Sequence, residues 1–88
     1  MKTVYSRNFA RDLRKTRDKD LLARLTKFLK EIEHAETIGT IANLEKMAGY
    51  EHAYRVRIGR YRLGILWNDD TVVIARFLHR KDIYREFP

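Results

Sequence analysis

Residues 54–63 read Tyr54-Arg55-Val56-Arg57-Ile58-Gly59-Arg60-Tyr61-Arg62-Leu63 and predict a β-hairpin. β-branched and aromatic residues occur in both arms, and glycine as the first residue of a two-residue turn suits the mirror-image turns that hairpins favour. With the turn at Gly59-Arg60, Ile58 lies opposite Tyr61 and Val56 opposite Leu63. One face of the hairpin is then apolar and is expected to pack on the rest of the protein.

The other face of this hairpin carries arginines. The same register sets Arg57 directly opposite Arg62, and Arg55 lies two residues from Arg57 on the same face. Like charges in opposed positions destabilise a sheet, so folding stability alone does not explain the arrangement. Any one of the three would fit a solvated sheet face, with its aliphatic stem lying over neighbouring residues. The three together favour a binding site for a polyanion.

The composition indicates one small domain with an anionic partner. Residues 1–88 are expected to form a single domain, because 88 residues build only one modest core. The 19 lysines and arginines outnumber 12 acidic residues, which gives a net charge of +7 and a pI of about 10.0. A balance this basic implies a negatively charged partner, which nucleic acid, an acidic protein or a membrane surface would satisfy.

Several classes of protein are disfavoured by what the sequence lacks. Without cysteine there is no disulfide framework and no thiolate zinc cluster, so we expect a cytoplasmic protein. No apolar stretch approaches the roughly 20 residues of a membrane span, and the amino terminus has no apolar signal segment. His34 and His52 lie far apart without a paired carboxylate, so no metal site is predicted. Neither a glycine-rich phosphate loop nor a nucleophile elbow is present, and no cofactor is expected.

The first half of the chain predicts one strand and two helices. Residues 2–5 form the strand, and Ser6 caps a short basic helix. The predicted buried side of this helix consists of Phe9, Ala10 and Leu13. Thr16 to Asp18 end it, and Asp18 or Asp20 caps the next helix. The apolar stripe of that second helix consists of Leu21, Leu22, Leu25, Phe28, Leu29 and Ile32.

The second half predicts a loop, three strands and a short helix. Residues 34–52 show no clear period and are interpreted as a loop with one helical turn near Ile41 to Leu44. The remaining elements are expected at residues 53–58, 61–67 and 71–78, with a turn at Asn68-Asp69-Asp70 and a last helix from about Lys81. We therefore predict an α+β fold of order β-α-α-β-β-β, in which antiparallel hairpins pack on the two N-terminal helices. The arginine face of the sheet is expected to stay open.

Arg76 has two alternative positions, because a slip of one residue moves a side chain to the other face of a sheet. A two-residue turn before its strand directs Arg76 toward the helices, where it needs a carboxylate partner. A three-residue turn adds it to the arginines of the hairpin. We prefer the second position, since an unpaired buried charge is costly.

Over its whole length the chain resembles the RelE/ParE superfamily of toxins from type II toxin–antitoxin modules. The resemblance rests on a strand ending in Tyr5-Ser6 before a basic helix, a leucine-rich second helix, the hairpin of residues 54–63 and the closing run His79-Arg80-Lys81-Asp82-Ile83-Tyr84. It implies a compact toxin that a cognate antitoxin neutralises, through an acidic amphipathic segment that folds on binding. In the RelE branch it implies cleavage of messenger RNA in the ribosomal A site.

The resemblance also assigns site residues. Arg55 and Arg57 match the two basic strand positions of the RelE motif. Arg62 matches the arginine of its Tyr-Arg-Leu step, Arg80 the late arginine and Tyr84 the late tyrosine. The implied reaction needs no metal, because a ribose 2′-hydroxyl attacks the adjacent phosphate and arginine forks stabilise the charge of the phosphorane. Further candidates for phosphate binding are Arg60, Arg76 and Lys81.

The acid–base chemistry needs a separate assignment. RelE-type toxins often carry lysines at the two strand positions, whereas this chain has arginines, which hardly ever release a proton. His79 is therefore a candidate acid or base, and Tyr84 is a candidate to orient the nucleophile or to stack on a base. The plainer alternatives are an inert histidine at a strand end and a tyrosine packed against the sheet.

Two other functions stay open. A resemblance to the ParE branch would imply an inhibitor of DNA gyrase, which lacks these ribonuclease residues. The arginine-rich hairpin argues against this alternative. A relative that only binds nucleic acid would show salt-sensitive binding and no chemistry. The partners expected for the preferred function are a cognate antitoxin and mRNA on the ribosome, with no membrane and no small-molecule cofactor.

Overall fold

Five strands and three α-helices make up residues 1–88, all of which the computed structural model describes. In chain order they are β1 (Lys2–Tyr5), α1 (Arg7–Lys15), α2 (Lys19–His34), β2 (Leu44–Lys46), β3 (Ala53–Ile58), β4 (Tyr61–Asn68), β5 (Thr71–His79) and α3 (Ile83–Glu86), with a 3-10 turn at Ile38–Thr40. The strands form one sheet in the order β1-β5-β4-β3-β2, in which β1 runs parallel to β5 and the other neighbours are antiparallel. The predicted α+β class is confirmed.

The sheet has an edge strand that the sequence did not predict. The expectation of a loop over residues 34–52, with a helical turn near Ile41 to Leu44, is wrong, because β2 lies in this segment and the 3-10 turn comes earlier. β2 pairs with β3 and sets Glu45 opposite Arg55. Three residues are too few to show a period, so this strand is defined only by its partner across the sheet.

Side-chain caps begin α1 and α2. Ser6 Oγ accepts a hydrogen bond from Phe9 N at 3.0 Å, which confirms the predicted cap. Asp18 Oδ1 accepts from the backbone N–H groups of Asp20 and Leu21 at 3.0 and 3.1 Å, so Asp18 rather than Asp20 is the cap of α2. None of the helices combines the length and the apolar character needed to cross a membrane.

The main core lies between the two long helices and one face of the sheet. The predicted stripe of α2 is confirmed: its buried members are Leu21, Leu25 and Ile32, and its half-buried members are Leu22, Phe28 and Leu29. The enclosed sheet residues of the same cluster include Val56, Leu63, Ile65 and Phe77. On α1, Phe9 is buried, but Ala10 is exposed, so its predicted place on the buried side is wrong. Asp12 is buried instead.

A smaller apolar cluster lies on the opposite face of the sheet. It consists of Met47, Ala53, Ala75, Ile83 and Phe87, with Leu78 packed beside it. Ile83 and Phe87 come from the C-terminal segment, which covers the centre of the face that carries the arginines. The expectation that this face stays open is therefore wrong at its centre. The arginines of this face stay exposed toward the hairpin turn, at Arg57 and Arg80.

Gly64 provides the space for this C-terminal segment. A Cβ atom at Gly64 would come within 2.8 Å of the Phe87 ring. Gly64→Ala is therefore expected to displace the segment and to lower the free energy of unfolding by about 1–3 kcal/mol, which chemical denaturation measures. Gly39→Ala is the control, because a Cβ there has no neighbour nearer than 4.0 Å. Equal costs for the two variants would contradict the close packing of Phe87 on Gly64.

Arg76 is bound to α1 and is not a free cation. The turn before its strand holds two residues, but Ala75 forms a bulge that leaves Gly64 opposite Arg76. Nε and Nη2 of Arg76 donate to the carboxylate of Asp12 at 2.9 and 3.1 Å, and this bond raises the pKa of Arg76 above its usual value. The prediction that Arg76 joins the arginines of the hairpin is wrong, because its charge is already paired with a carboxylate.

Candidate functional site

Four arginines meet at the exposed end of the sheet, and we call Arg55, Arg57, Arg62 and Arg80 the arginine cluster. β3 and β4 pair in the predicted register, with Arg57 opposite Arg62. The turn at Gly59-Arg60 is confirmed, and Gly59 has a φ of 60°, which glycine adopts without strain. Arg80 follows β5, and its backbone N–H donates to the carbonyl of Arg60 at 2.8 Å, which ties it to the hairpin turn.

Arg62 interacts with every other member of the cluster. Partial burial, followed by the charges of Arg57, Arg55 and Arg80, lowers the pKa of Arg62 from its usual value. The side chain stays protonated at any working pH, so the cluster is a permanent concentration of positive charge. Two backbone carbonyls of the hairpin turn accept hydrogen bonds from Arg62 Nη1 at 3.2 and 2.9 Å and hold the guanidinium in place. An anion bound among the four side chains would relieve their mutual repulsion.

Tyr84 of α3 lies against the arginine cluster. It is 62% exposed, and Arg55 Cζ lies 4.7 Å from the centroid of its ring. A guanidinium at that distance over an aromatic face is attracted by the ring. The neighbouring residues Ile83 and Phe87 are buried and fasten the short helix to the sheet. The site thus presents an exposed aromatic ring on a cationic surface, which suits stacking on a base or a hydrogen bond to a ribose.

Glu45 also belongs to this site, although no sequence pattern predicted it. Its Oε2 accepts hydrogen bonds from Arg55 Nε at 3.2 Å and Arg55 Nη2 at 3.0 Å, and its Oε1 lies 3.5 Å from Arg57 Nε. The hydrogen bond from Arg55, together with the charges of Arg55, Arg57 and Arg62, lowers the pKa of the Glu45 carboxyl. The only sequence signal was an acidic residue shortly before a basic hairpin, which does not reveal a pairing across two strands.

His79 does not join the arginine cluster. Successive residues of a strand point to opposite faces, and His79 pairs with Tyr61, whereas Arg62 pairs with Leu78. The imidazole meets the Tyr61 ring edge-on with 5.6 Å between centroids, and its Nδ1 accepts a hydrogen bond from Lys81 N at 3.2 Å. His79 therefore lies on the other face of the strand from the arginines with which its sequence position grouped it.

The three further candidates for phosphate binding differ in their surroundings. Arg60 lies in the hairpin turn and Lys81 follows the end of β5, and both side chains are exposed. Arg60 lines a cleft toward α2 together with Arg24 and His79. Arg76 lies beside the largest cavity, of about 610 Å³, which opens between α1, β5 and α3 and not at the arginine cluster.

Known proteins of similar sequence place the chain in a family. A sequence model of the family described as "ParE toxin of type II toxin-antitoxin system, parDE" matches residues 3–84. The curated protein "Toxin RelE3" of Methanocaldococcus jannaschii is 34% identical over an alignment of 89 positions, which covers 100% of both chains. These two matches confirm the resemblance to the RelE/ParE superfamily.

Solved structures agree with this placement. The crystal structure of the RelB-RelE antitoxin-toxin complex from Methanococcus jannaschii matches at 33% identity and a TM-score of 0.81, over 97% of this chain and 99% of that one. The YoeB dimer from Staphylococcus aureus shares the fold at 21% identity and a TM-score of 0.70, over 91% of this chain and 97% of that one. The chain therefore belongs to the ParE toxin family of type II toxin–antitoxin systems, within the RelE/ParE superfamily.

Proposed function

We propose that this toxin is a metal-independent, ribosome-dependent mRNA endoribonuclease that inhibits translation. The observation that carries the proposal is the arginine cluster on one accessible surface, with the exposed ring of Tyr84 lying against it at Arg55. This surface combines fixed positive charge with an aromatic ring, which is the combination that binds single-stranded RNA. The Toxin RelE3 relative supports the RelE branch for this chain.

The proposed chemistry is an internal displacement at phosphorus. The 2′-oxygen of a ribose bonds to the adjacent phosphorus while the bond to the 5′-oxygen breaks, and the 2′-hydroxyl loses a proton as the 5′-oxygen gains one. The phosphorane that forms on the way carries extra negative charge. Arg62 and Arg80 stabilise this charge through bidentate forks that stay protonated, and such electrostatic stabilisation is usually the largest catalytic contribution. Tyr84 orients the ribose or stacks on the base beside it.

The proposed partners follow from the charge of the surface. The relative from Methanococcus jannaschii was crystallised as a RelB-RelE antitoxin-toxin complex, and that from Pyrococcus horikoshii OT3 as a RelE-RelB complex. For this chain we infer a cognate antitoxin with an acidic amphipathic segment that is disordered until it binds. We place the toxin in the cytoplasm, where ribosomes carry its mRNA substrate.

Mapping of RNA 5′ ends tests the proposed function. The wild-type protein and an Arg62→Ala/Tyr84→Phe double variant are induced in a bacterial host, and RNA ends are mapped shortly afterwards. New cleavages inside translated codons are expected with the wild type only. Growth arrest without cleavage, accompanied by loss of DNA supercoiling, would indicate a gyrase inhibitor instead. A wild type that neither arrests growth nor cleaves RNA would reject the endoribonuclease and leave a protein that only binds nucleic acid.

A further inference from the structure

Arg55 differs from the other members of the arginine cluster because its guanidinium is already engaged. Nε and Nη2 both donate to Glu45 Oε2, at 3.2 and 3.0 Å, and the Tyr84 ring lies over Cζ at 4.7 Å. Only 20% of the Arg55 side chain is exposed. A phosphate can pair with this Nε/Nη2 edge only by displacing the Glu45 carboxylate, and the remaining Nη1 belongs to a side chain that is largely enclosed.

Arg57 shows the contrasting state. Its side chain is 64% exposed, and its one ionic contact is the 3.5 Å approach of Nε to Glu45 Oε1. The fork of Arg57 is therefore accessible to a phosphate without the loss of a short hydrogen bond. The two strand arginines, which the sequence pattern treats as equivalent, have different surroundings and different capacities for binding.

A chain of contacts runs from the sheet edge through Arg55 to Tyr84. Glu45 on β2 holds Arg55 on β3 with two hydrogen bonds to a charged group, which are stronger than neutral ones. Arg55 in turn lies over the ring of Tyr84, whose hydroxyl forms no hydrogen bond within the protein. α3 is only four residues long and Tyr84 is largely exposed, so the contact with the Arg55 guanidinium covers a ring that little else encloses.

We propose that Glu45 and Arg55 are positioning residues that hold the Tyr84 ring in the site, and that substrate phosphates bind to Arg57, Arg62 and Arg80. This inference rests on the proposed endoribonuclease function, since it assigns roles within that reaction. It revises the sequence-based assignment of Arg55 to phosphate binding. It also gives a role to Glu45, a carboxylate that would otherwise only weaken an anion-binding surface.

Nuclear magnetic resonance tests the contact itself without any assay of activity. The ring current of Tyr84 is expected to shift the Hε and Hδ resonances of Arg55 upfield, and Tyr84→Leu is expected to abolish the shift. Glu45→Gln should reduce it, because the neutral amide no longer anchors the guanidinium. Glu36→Gln, at an exposed site in the segment after α2, is the matched control. An unchanged Arg55 shift in Glu45→Gln would overturn the positioning role.

Salt dependence of binding distinguishes a phosphate ligand from a positioning residue. Binding to a single-stranded RNA with 2′-O-methyl riboses, which cannot be cleaved, is measured over a range of salt concentrations. Arg57→Gln is expected to reduce the slope of log K against log salt by about 0.7, the value for one phosphate contact on a single strand. Arg55→Gln is expected to leave the slope near that of the wild type. Equal losses of slope in the two variants would overturn the division of roles.

Kinetics on ribosome-bound mRNA complete the test. Glu45→Gln is expected to lower the maximal cleavage rate about tenfold or more, because a misplaced Tyr84 loses orientation, while the half-saturating concentration stays the same or falls. The variant loses a negative charge, so slower cleavage cannot come from weaker attraction to RNA. Cleavage as fast as that of the wild type, or faster, would mean that Glu45 only competes with substrate, and would overturn the proposal. A wild type that does not cleave would reject the proposed function instead, and the resonance shifts and salt slopes would still decide between the two roles of Arg55.

Discussion

Replacing Arg62 by alanine is expected to abolish growth arrest and to lower RNA cleavage about a hundredfold or more, which is the usual cost of removing one group that stabilises transition-state charge. Arg62 interacts electrostatically with Arg57, Arg55 and Arg80. Its loss therefore removes the one guanidinium that lies close to all the other members of the arginine cluster. The same change should move the melting temperature by only about 2–4 °C, because Arg62 contributes no apolar packing to the core.

Growth after induction and thermal unfolding followed by circular dichroism measure the two parts of this prediction. Arg14→Ala is the matched control, since Arg14 is exposed on α1 and its loss changes the net charge by the same amount. Full toxicity of Arg62→Ala would remove this residue from the catalytic set. A loss of toxicity together with a fall in melting temperature of more than about 10 °C would attribute the effect to folding.

Replacing Asp12 by alanine is expected to lower the free energy of unfolding by about 3–5 kcal/mol, the usual cost of breaking a buried pair. Asp12 is 5% exposed and accepts three hydrogen bonds, two from Arg76 and one from the backbone N–H of Phe77 at 2.9 Å. Without the carboxylate, the enclosed charge of Arg76 keeps only Glu86, 3.7 Å away. The N–H of Phe77 loses its partner as well.

Thermal and chemical denaturation measure this loss. A fall of about 12 °C or more in the melting temperature is expected for a domain of this size. Asp20→Ala, which removes an exposed carboxylate from the first turn of α2, is the control and should cost less than about 1 kcal/mol. The double variant Asp12→Ala/Arg76→Met should recover part of the loss, because it no longer encloses an unpaired charge. An Asp12→Ala protein as stable as the control would contradict the structural role of the pair.

Local patterns predicted the elements that carry most of the fold. The turn at Gly59-Arg60 sets the register of β3 and β4, because side chains alternate with a period of two and one turn residue more would reverse every position. The cap at Ser6 and the stripe of α2 follow equally from neighbours in sequence. These features depend on interactions within a few residues, which the sequence displays directly.

Other features depend on residues that are far apart in sequence. The strand β2 exists through its pairing with β3, and the carboxylate of Glu45 reaches Arg55 only through that pairing. Asp12 lies three residues after Phe9, on the same buried side of α1. An acidic residue on the buried side of a helix was the one sign of a buried ion pair in the sequence. Its partner Arg76, 64 residues away, has no comparable sign in the sequence.

The basic character of this toxin, its hairpin register, its helix caps and the residues from which the site is drawn all follow from the order of amino acids along the chain. The folded protein selects which of those charges are free. It paired Arg76 with Asp12 through the bulge at Ala75 and Arg55 with Glu45 across the sheet edge, and it left Arg57 exposed. The physical reason is that a strand period is a local property of the chain, whereas the availability of a charge depends on the carboxylate that folding brings beside it.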